Sequence, residues 1–291
     1  MKKIIILIIV LTLLFSYKKE TIPPIPSKLT PLYNTINSFH NVDESDLRIM
    51  TYNLLSHELG FDGTQSDERK SDIIALINAI KPHILCLQET SFDYYQSLTE
   101  NTELKFISPV SYFLSRSMTV LMYNPTFLTP IDYGSIAYKY STNPRLRNYT
   151  WGLFQEKQTE NVFLIVNTHL NLYKQATAYP LLQAIELIEF CRKKEQEYNC
   201  PVYITGDFNS QENSEKTGDC AVYDYISLFY NDTKEKAESK TYGTGKNLYS
   251  PISDYIFCTD DSAIKSYTLL SQPELNVLSD HFPVFIDINI S

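Results

Sequence analysis

Eight polar side chains stand at the ends of apolar runs in this chain, and their types suit hydrolytic chemistry at an anion. The densest group is Gly206-Asp207-Phe208-Asn209, which follows the apolar run Val202 to Ile204. In extended chain Asp207 and Asn209, two residues apart, share one face. A carboxylate and an amide converging at a strand end suit a hard cation or a phosphate rather than a core. Gly206 is read as permitting a backbone turn that most residues would resist. An Asx turn capping a strand would use the same residue types, so the tetrapeptide alone decides nothing. Its weight comes from the other strand ends. The run Leu47 to Tyr52 ends at Asn53. Ile84 to Leu87 leads into Gln88-Glu89, where a buried carboxylate would be costly unless paired or bound to metal. Val162 to Val166 leads to Asn167-Thr168-His169. Asp254 opens an apolar stretch ending at Cys258, and Asp280-His281 precede the closing run Val284 to Ile290. Arg145 and Arg147 precede the single tryptophan, Trp151; they suit phosphate oxygens and equally suit a solvated surface.

These side chains need elements to position them. Thr64 to Ile80 has the spacing of an amphipathic helix, with Ile73, Ile74, Ile77 and Ile80 on one stripe, and Lys81-Pro82 stops it. Tyr179 to Glu197 reads as a second amphipathic helix, with Leu181, Leu182, Ile185, Ile188 and Phe190 on or near its core face. Met118 to Tyr123 reads as a strand, Phe127 to Tyr140 as a hairpin or meander, and Asp219 to Tyr230 as a short helix. Strands alternating with helices, then shorter strands, predict two sheets packed face to face with helices outside. Strand ends that share a sheet cluster on one rim.

The chain has 291 residues, 43% of them hydrophobic and 20% charged, enough for a full core in one large α/β domain or two small ones. Its formal charge is −9, and −12 without the first twenty residues, which hold four lysines and one glutamate. Such a chain does not grip nucleic acid by bulk charge; a phosphate substrate would need a metal and a few local cations. Lys2-Lys3 and the apolar run Ile4 to Phe15 predict a signal peptide or N-terminal anchor over residues 1–20, with 21–45 as a linker and 46–291 as the folded domain. The stretch around Tyr17 is similar to a lipoprotein signal but has Tyr where the lipidated Cys would stand. Export to a periplasmic or extracellular location follows, with membrane contact only through that segment. Five cysteines cannot pair completely. Cys86 and Cys258 read as core thiols; Cys191, Cys200 and Cys220 leave room for one disulfide in an oxidising compartment.

The ordered motifs Arg48-Ile49-Met50-Thr51-Tyr52-Asn53, Leu87-Gln88-Glu89, Asn167-Thr168-His169-Leu170, Gly206 to Ser210, Asp254-Tyr255-Ile256-Phe257 and Ser279-Asp280-His281-Phe282-Pro283 resemble the endonuclease/exonuclease/phosphatase superfamily. Deoxyribonuclease I, apurinic endonucleases, deadenylases and neutral sphingomyelinases belong to it. The resemblance spans residues 46 to 290. It implies a four-layer α/β sandwich of two packed mixed β-sheets flanked by helices. It implies Glu89 as the principal Mg²⁺ ligand (Mn²⁺ as a substitute), with Asn53 beside the metal and Asp280 as a further metal-side carboxylate. Asp207 matches the group that orients or deprotonates the attacking water, and Asn209 its neighbour at the metal or phosphate. His281 matches the catalytic histidine, Asp254 the carboxylate holding it, and His169 the second histidine, facing phosphate or leaving group. Arg147, with Arg145 as alternative, is the candidate for an additional phosphate contact. Two positions depart from the pattern. Ser115-Arg116-Ser117 stands where some members carry a glutamate supporting the second histidine, and Asn171 stands where one branch has aspartate.

The reaction implied is metal-assisted hydrolysis of a phosphodiester, in DNA, RNA or another phosphate ester. A phospholipid headgroup hydrolase would use an exposed apolar hairpin, for which Tyr249 to Ile252 and Phe127 to Tyr140 are the candidates. A sugar or inositol phosphatase is a further alternative. A non-catalytic binding relative would be expected to have lost some of the eight polar residues.

Overall fold

The computed structural model describes Leu32, Asn34 and residues 46–55, 67–107, 119–142, 147–172, 178–212, 220–243, 253–259 and 262–289. Two βαβ units set its plan. In the first, β1 (Asp46–Asn53) and β2 (Ile84–Gln88) lie parallel, joined through α1 (Asp67–Ile80). In the second, β7 (Val162–His169) and β8 (Val202–Asp207) lie parallel, joined through α3 (Tyr179–Tyr198). Parallel neighbours need such a crossover, and their carboxyl ends then point the same way.

The other elements are α2 (Phe92–Asn101), β3 (Lys105–Phe106), β4 (Thr119–Tyr123), β5 (Leu128–Ala137), β6 (Asn148–Glu156), α4 (Ala221–Ser227), β9 (Asn231–Asp232), α5 (Thr233–Lys236), β10 (Ser239–Tyr242), β11 (Asp254–Cys258), β12 (Ile264–Leu269) and β13 (Val284–Asn289), with a 3₁₀ turn over Pro273–Val277. One sheet has seven strands in the order β10-β12-β13-β1-β2-β4-β3. The other has six, β5-β6-β7-β8-β11-β9. Each sheet mixes parallel and antiparallel pairs. Buried side chains from both, such as Ile49, Phe285, Ile165 and Ile256, form one core cluster between them. A second cluster lies under α3 and α4, on the outer face of the six-stranded sheet. This is the two-sheet α/β architecture expected from the sequence.

Several local expectations shift. The helix α1 buries Ala75 and Leu76 as well as the isoleucine stripe, and it also buries Arg69 and Asp72. On α3 the buried face is Pro180, Gln183, Ala184, Leu187, Ile188 and Cys191, at helical spacing. Leu181, Leu182 and Ile185 sit half-buried at its border. A proline at its start and a left-handed Asn199, whose N–H donates to Glu195 O, bound this helix. Gly206 makes no turn. It sits inside β8 at φ +141°, where a Cβ would lie 2.0 Å from Thr168 O of the adjoining strand. Its function is close approach between β7 and β8.

All five cysteines are free thiols, so no disulfide joins Cys191, Cys200 and Cys220. Cys86 and Cys258 are buried core thiols. Within 21–45, read as linker, Leu32 is helical and buried against the core. The segment 1–20 lies outside the described residues, as do Ser115-Arg116-Ser117, Arg145 and Tyr249 to Ile252. Among the described residues no helix is long and apolar enough to cross a membrane.

Candidate active site

The carboxyl ends of the two parallel pairs meet on one rim. Asn53 ends β1, Glu89 follows β2, His169 ends β7 and Asp207 ends β8. Antiparallel β11 starts at the same rim with Asp254, and His281 stands just before antiparallel β13. Strand register fixes three of these side by side: His169 pairs with Asp207, and Asp207 pairs with Asp254. Gly206 makes the first pairing tight.

Asp207 is the hub, only 1% exposed. Its Oδ1 accepts from the Asn209 N–H at 2.9 Å and the Ser253 hydroxyl at 3.0 Å. Its Oδ2 accepts from the Asn53 amide at 3.0 Å and faces His169 Nε2 at 3.2 Å and His281 Nε2 at 3.8 Å. Burial would raise this carboxyl, but the charge of His281 and the hydrogen bonds from His169 and Asn209 outweigh it, holding it well below the usual carboxylate range. Asp207 is therefore a stable anion in a buried place.

The two histidines beside it differ. His281 Nδ1 donates to Asp254 Oδ2 at 2.6 Å. Burial alone would lower this imidazole; the Asp254 carboxylate, then Asp207, reverse that and push it up to about 10. Its Nε2 faces Asp207 Oδ2 and Asp280 Oδ1, each at 3.8 Å. Burial in turn raises Asp254 to about 6 against the pull of the imidazolium. His169 Nδ1 lies 2.8 Å from Arg147 Nη1. A guanidinium only donates, so that Nδ1 accepts and Nε2 carries the proton toward Asp207. Burial and the Arg147 charge lower this imidazole, and Asp207 only partly opposes them. One histidine is a buried cation and the other is neutral. Both nitrogens of His169 are engaged and it is 2% exposed, so it reaches a substrate only through Arg147 or Asp207.

Glu89 is 8% exposed and shares the Asn53 amide with Asp207, at 3.5 Å. Its φ of +52° is unusual for a glutamate, and such strain is held only where surroundings over-determine it. Asn209, at φ +49°, donates its amide to Leu170 O at 2.9 Å, so it ties the segment after β8 to that after β7. Asp280 stands at the outer side of the dyad. The structure thus brings together Asn53, Glu89, Arg147, His169, Asp207, Asn209, Asp254, Asp280 and His281; Arg145 lies outside the described residues.

Five supporting residues had been given no role from the sequence. Ser253 holds Asp207. The Ser279 hydroxyl donates to Asn53 O at 2.7 Å and accepts from the His281 N–H at 3.1 Å. Arg69 of α1 donates to Leu278 O at 2.7 Å and also to Leu54 O, so one buried guanidinium anchors the segments after β1 and before β13. Beneath the rim, Gln88 Nε2 donates to Asn167 Oδ1 at 2.7 Å, and Asn167 Nδ2 donates to Leu87 O at 2.9 Å and Val120 O at 2.7 Å. Both amides are fully buried and they join the two sheets.

The rim offers donors suited to a hard cation. Asp207, Asp254 and His281 each place one ligand atom within 4.8 Å of the others. The dyad partners are already bound to each other, and an imidazolium has no lone pair to give. By donor chemistry the carboxylates of Glu89 and Asp280 at the same rim are the further oxygen ligands suited to a divalent ion.

The family model for the Endonuclease/Exonuclease/phosphatase family matches residues 50–281, which holds every rim residue. The chain belongs to the endonuclease/exonuclease/phosphatase family. Members of this family hydrolyse phosphate esters. Among curated proteins the chain is similar to a probable CCR4-Not complex 3'-5'-exoribonuclease subunit Ccr4 of Vairimorpha ceranae, 26% identical over 214 residues, covering 60% of this chain and 43% of that relative. The chain thus matches less than half the length of that curated relative. Among solved structures it is similar to a family member from Bacteroides vulgatus (TM-score 0.67, 21% identity, 85% of this chain and 100% of that one). A mannosyl-6-phosphatase from Bacteroides thetaiotaomicron has TM-score 0.66, 20% identity, and coverage of 83% and 99%. At that identity the structural likeness establishes the fold, the two-sheet α/β sandwich expected from the alternation of strands and helices and from the family resemblance.

Proposed function

We propose that this chain is an exported, Mg²⁺-dependent phosphodiesterase, a nuclease or a related enzyme, in which Asp207 activates water and His281 stabilises the charge that develops on phosphorus. The observation that carries the reading is one buried carboxylate oxygen, Asp207 Oδ2, facing the Nε2 atoms of two histidines at 3.2 and 3.8 Å, with Asp254 locked to the second histidine at 2.6 Å. Glu89, with Asp280, would hold the Mg²⁺, which when bound would supply Lewis-acid neutralisation of the phosphate. The chain's own residues do the rest. Asp207, kept ionised, orients the attacking water. His281, kept protonated by Asp254, presents Nε2–H to the anionic phosphorus oxygens. Arg147, fixed by His169, offers its remaining donors to a phosphate oxygen. The N-terminal run Ile4 to Phe15 supports export. DNA or RNA is the expected substrate class, with phospholipid headgroups and sugar phosphates as the alternatives.

The test is metal-dependent hydrolysis of bis-p-nitrophenyl phosphate, plasmid DNA and sphingomyelin vesicles side by side, against a double variant, Asp207→Ala/His281→Ala. Turnover with Mg²⁺ that EDTA and the variant both abolish is expected. Mg²⁺ should also raise Tm, since only the folded state holds the carboxylates together. No turnover, with a Tm indifferent to Mg²⁺ and EDTA, overturns the reading in favour of a binding protein. Lipid cleavage without DNA cleavage overturns the nuclease part alone.

A further inference from the structure

The two oxygens of Asp207 keep unlike company. Oδ2 is turned to Asn53 and the two histidines, whereas Oδ1 accepts from the Asn209 N–H at 2.9 Å and the Ser253 hydroxyl at 3.0 Å. The first of the Oδ1 donors is local. Asn209 lies two residues on, so its N–H closes an Asx turn and moves with the loop that carries the carboxylate. The second comes from another strand. Ser253 stands immediately before β11, whose first residue, Asp254, is paired in register with Asp207. It is 4% exposed, and its carbonyl accepts from the Phe208 N–H at 2.9 Å. Ser253 therefore grips this loop twice, by its backbone just after Asp207 and by its hydroxyl on the Asp207 side chain.

The second grip has a chemical consequence. The torsion that turns an aspartate carboxylate about its Cβ–Cγ bond is broad and two-fold, so the side chain alone does not decide how the plane of the carboxylate lies. Its hydrogen bonds do. On Oδ2 the donors have other ties: the Asn53 amide also reaches Glu89, at 3.5 Å, and the His169 ring is also held by Arg147. The Ser253 hydroxyl is spent on Oδ1, from a position that strand register fixes.

We propose that Ser253 is a positioning residue for the hydrolysis: its hydroxyl locks the plane of the Asp207 carboxylate, closing Oδ1 and presenting Oδ2 to the attacking water. The lock is a property of the fold; its effect on rate rests on the phosphoesterase reading. A carboxylate free to turn would still be an anion beside His281, but its working oxygen would meet the water for only part of the time. The phosphate contacts assigned to Arg147 and His281 would stay in place. The loss therefore belongs in kcat and not in KM.

The experiment compares the full chain with Ser253→Ala and Ser253→Thr. Alanine removes the hydroxyl and keeps the backbone bond from the Phe208 N–H, so the loop stays attached; threonine keeps both grips. With Mg²⁺ and bis-p-nitrophenyl phosphate, Ser253→Ala should lose about tenfold in kcat, as for a lost hydrogen bond to a charged group, with KM held within about twofold. Ser253→Thr should recover most of that loss. A second arm needs no turnover. The His169 Nε2–H, which faces Oδ2, is followed by proton NMR of the imidazole, and its exchange with water should be faster in Ser253→Ala than in the parent. An unchanged kcat in an active enzyme, or a KM that rises as kcat falls, overturns the proposal. So does an unchanged exchange rate, or a threonine variant as slow as the alanine one. Faster exchange in Ser253→Ala, in a protein that hydrolyses no ester, upholds the lock on Asp207 and sinks the phosphoesterase reading alone.

Discussion

The two histidines beside Asp207 show how one carboxylate can be given two unlike neighbours. His281 arrives on the seven-stranded side and rests on Asp254; His169 arrives on β7 and rests on Arg147. Burial is nearly equal, 7% and 2% exposed. The partner decides the charge: a carboxylate makes one ring a cation, and a guanidinium keeps the other neutral. A residue type at a strand end therefore fixes its chemistry only together with what stands behind it. Under the proposed function, this pairing suits His281 to charge stabilisation. His169 becomes a positioning residue, which aims Arg147 outward and Nε2–H inward.

The strongest way to break this comparison is to remove each ring. His281→Ala should cost about 10³-fold in kcat, as expected for a preorganised charge donor, and His169→Ala an order of magnitude less. Equal losses would erase the distinction. Asp254→Asn should lower kcat about 10²-fold and shift the pH profile. With its carboxylate partner, His281 titrates near 10, above the 6.5 of a free imidazole. Its pairing thus stabilises the fold fully below pH 6.5, a contribution lost as pH rises to about 10. Wild-type activity should fall below about pH 6, where Asp254 takes up a proton, and again on that alkaline limb, which in the variant should move several pH units lower. A limb that stays put would show that Asp254 does not set the charge.

Gly206→Ala sharpens the comparison by striking one side alone. The new Cβ meets Thr168 O at 2.0 Å and must force β8 from β7. A loss of about 2–3 kcal/mol in stability is expected by denaturant titration, with the His169 contact opened and the Asp254–His281 dyad intact. An unchanged midpoint would refute the close-approach account. The smallest effect belongs to Arg147→Met, about tenfold in kcat/KM. Removing the guanidinium charge should raise the His169 pKa in an NMR titration, since Arg147 holds it down. A fall instead would reverse the electrostatic assignment.

Much of this rim was legible beforehand, because the information is local. Asp207, Glu89 and His169 each follow an apolar run within their own motif, and a strand end exposes whatever comes next. The register that aligns His169, Asp207 and Asp254 was not legible, because it depends on which strands pair. Nor was the state of His169: Arg147 is 22 residues away, and nothing in the spacing shows that its guanidinium reaches Nδ1. Gly206 looked like a turn residue because its freedom is the same in a turn and in a crowded strand. On α3 the leucines that seemed to mark the core face sit at its border, since Gln183 occupies the centre and finds partners in Asn171 and Tyr140 O. Ser253, Ser279, Arg69 and the Gln88–Asn167 pair act by geometry between distant segments, which residue type does not announce.

The buried carboxamide link between the sheets has a consequence for how the molecule assembles. Gln88 and Asn167 are 79 residues apart, and the hydrogen bonds from Gln88 Nε2 to Asn167 Oδ1 and from Asn167 Nδ2 to Leu87 O and Val120 O form only when the sheets have met. Until then neither sheet alone holds a working fragment of the rim, because Asp207 draws its neighbours from both. Refolding should therefore recover far-UV circular dichroism first and catalysis last, in a single step with the burial of those two amides.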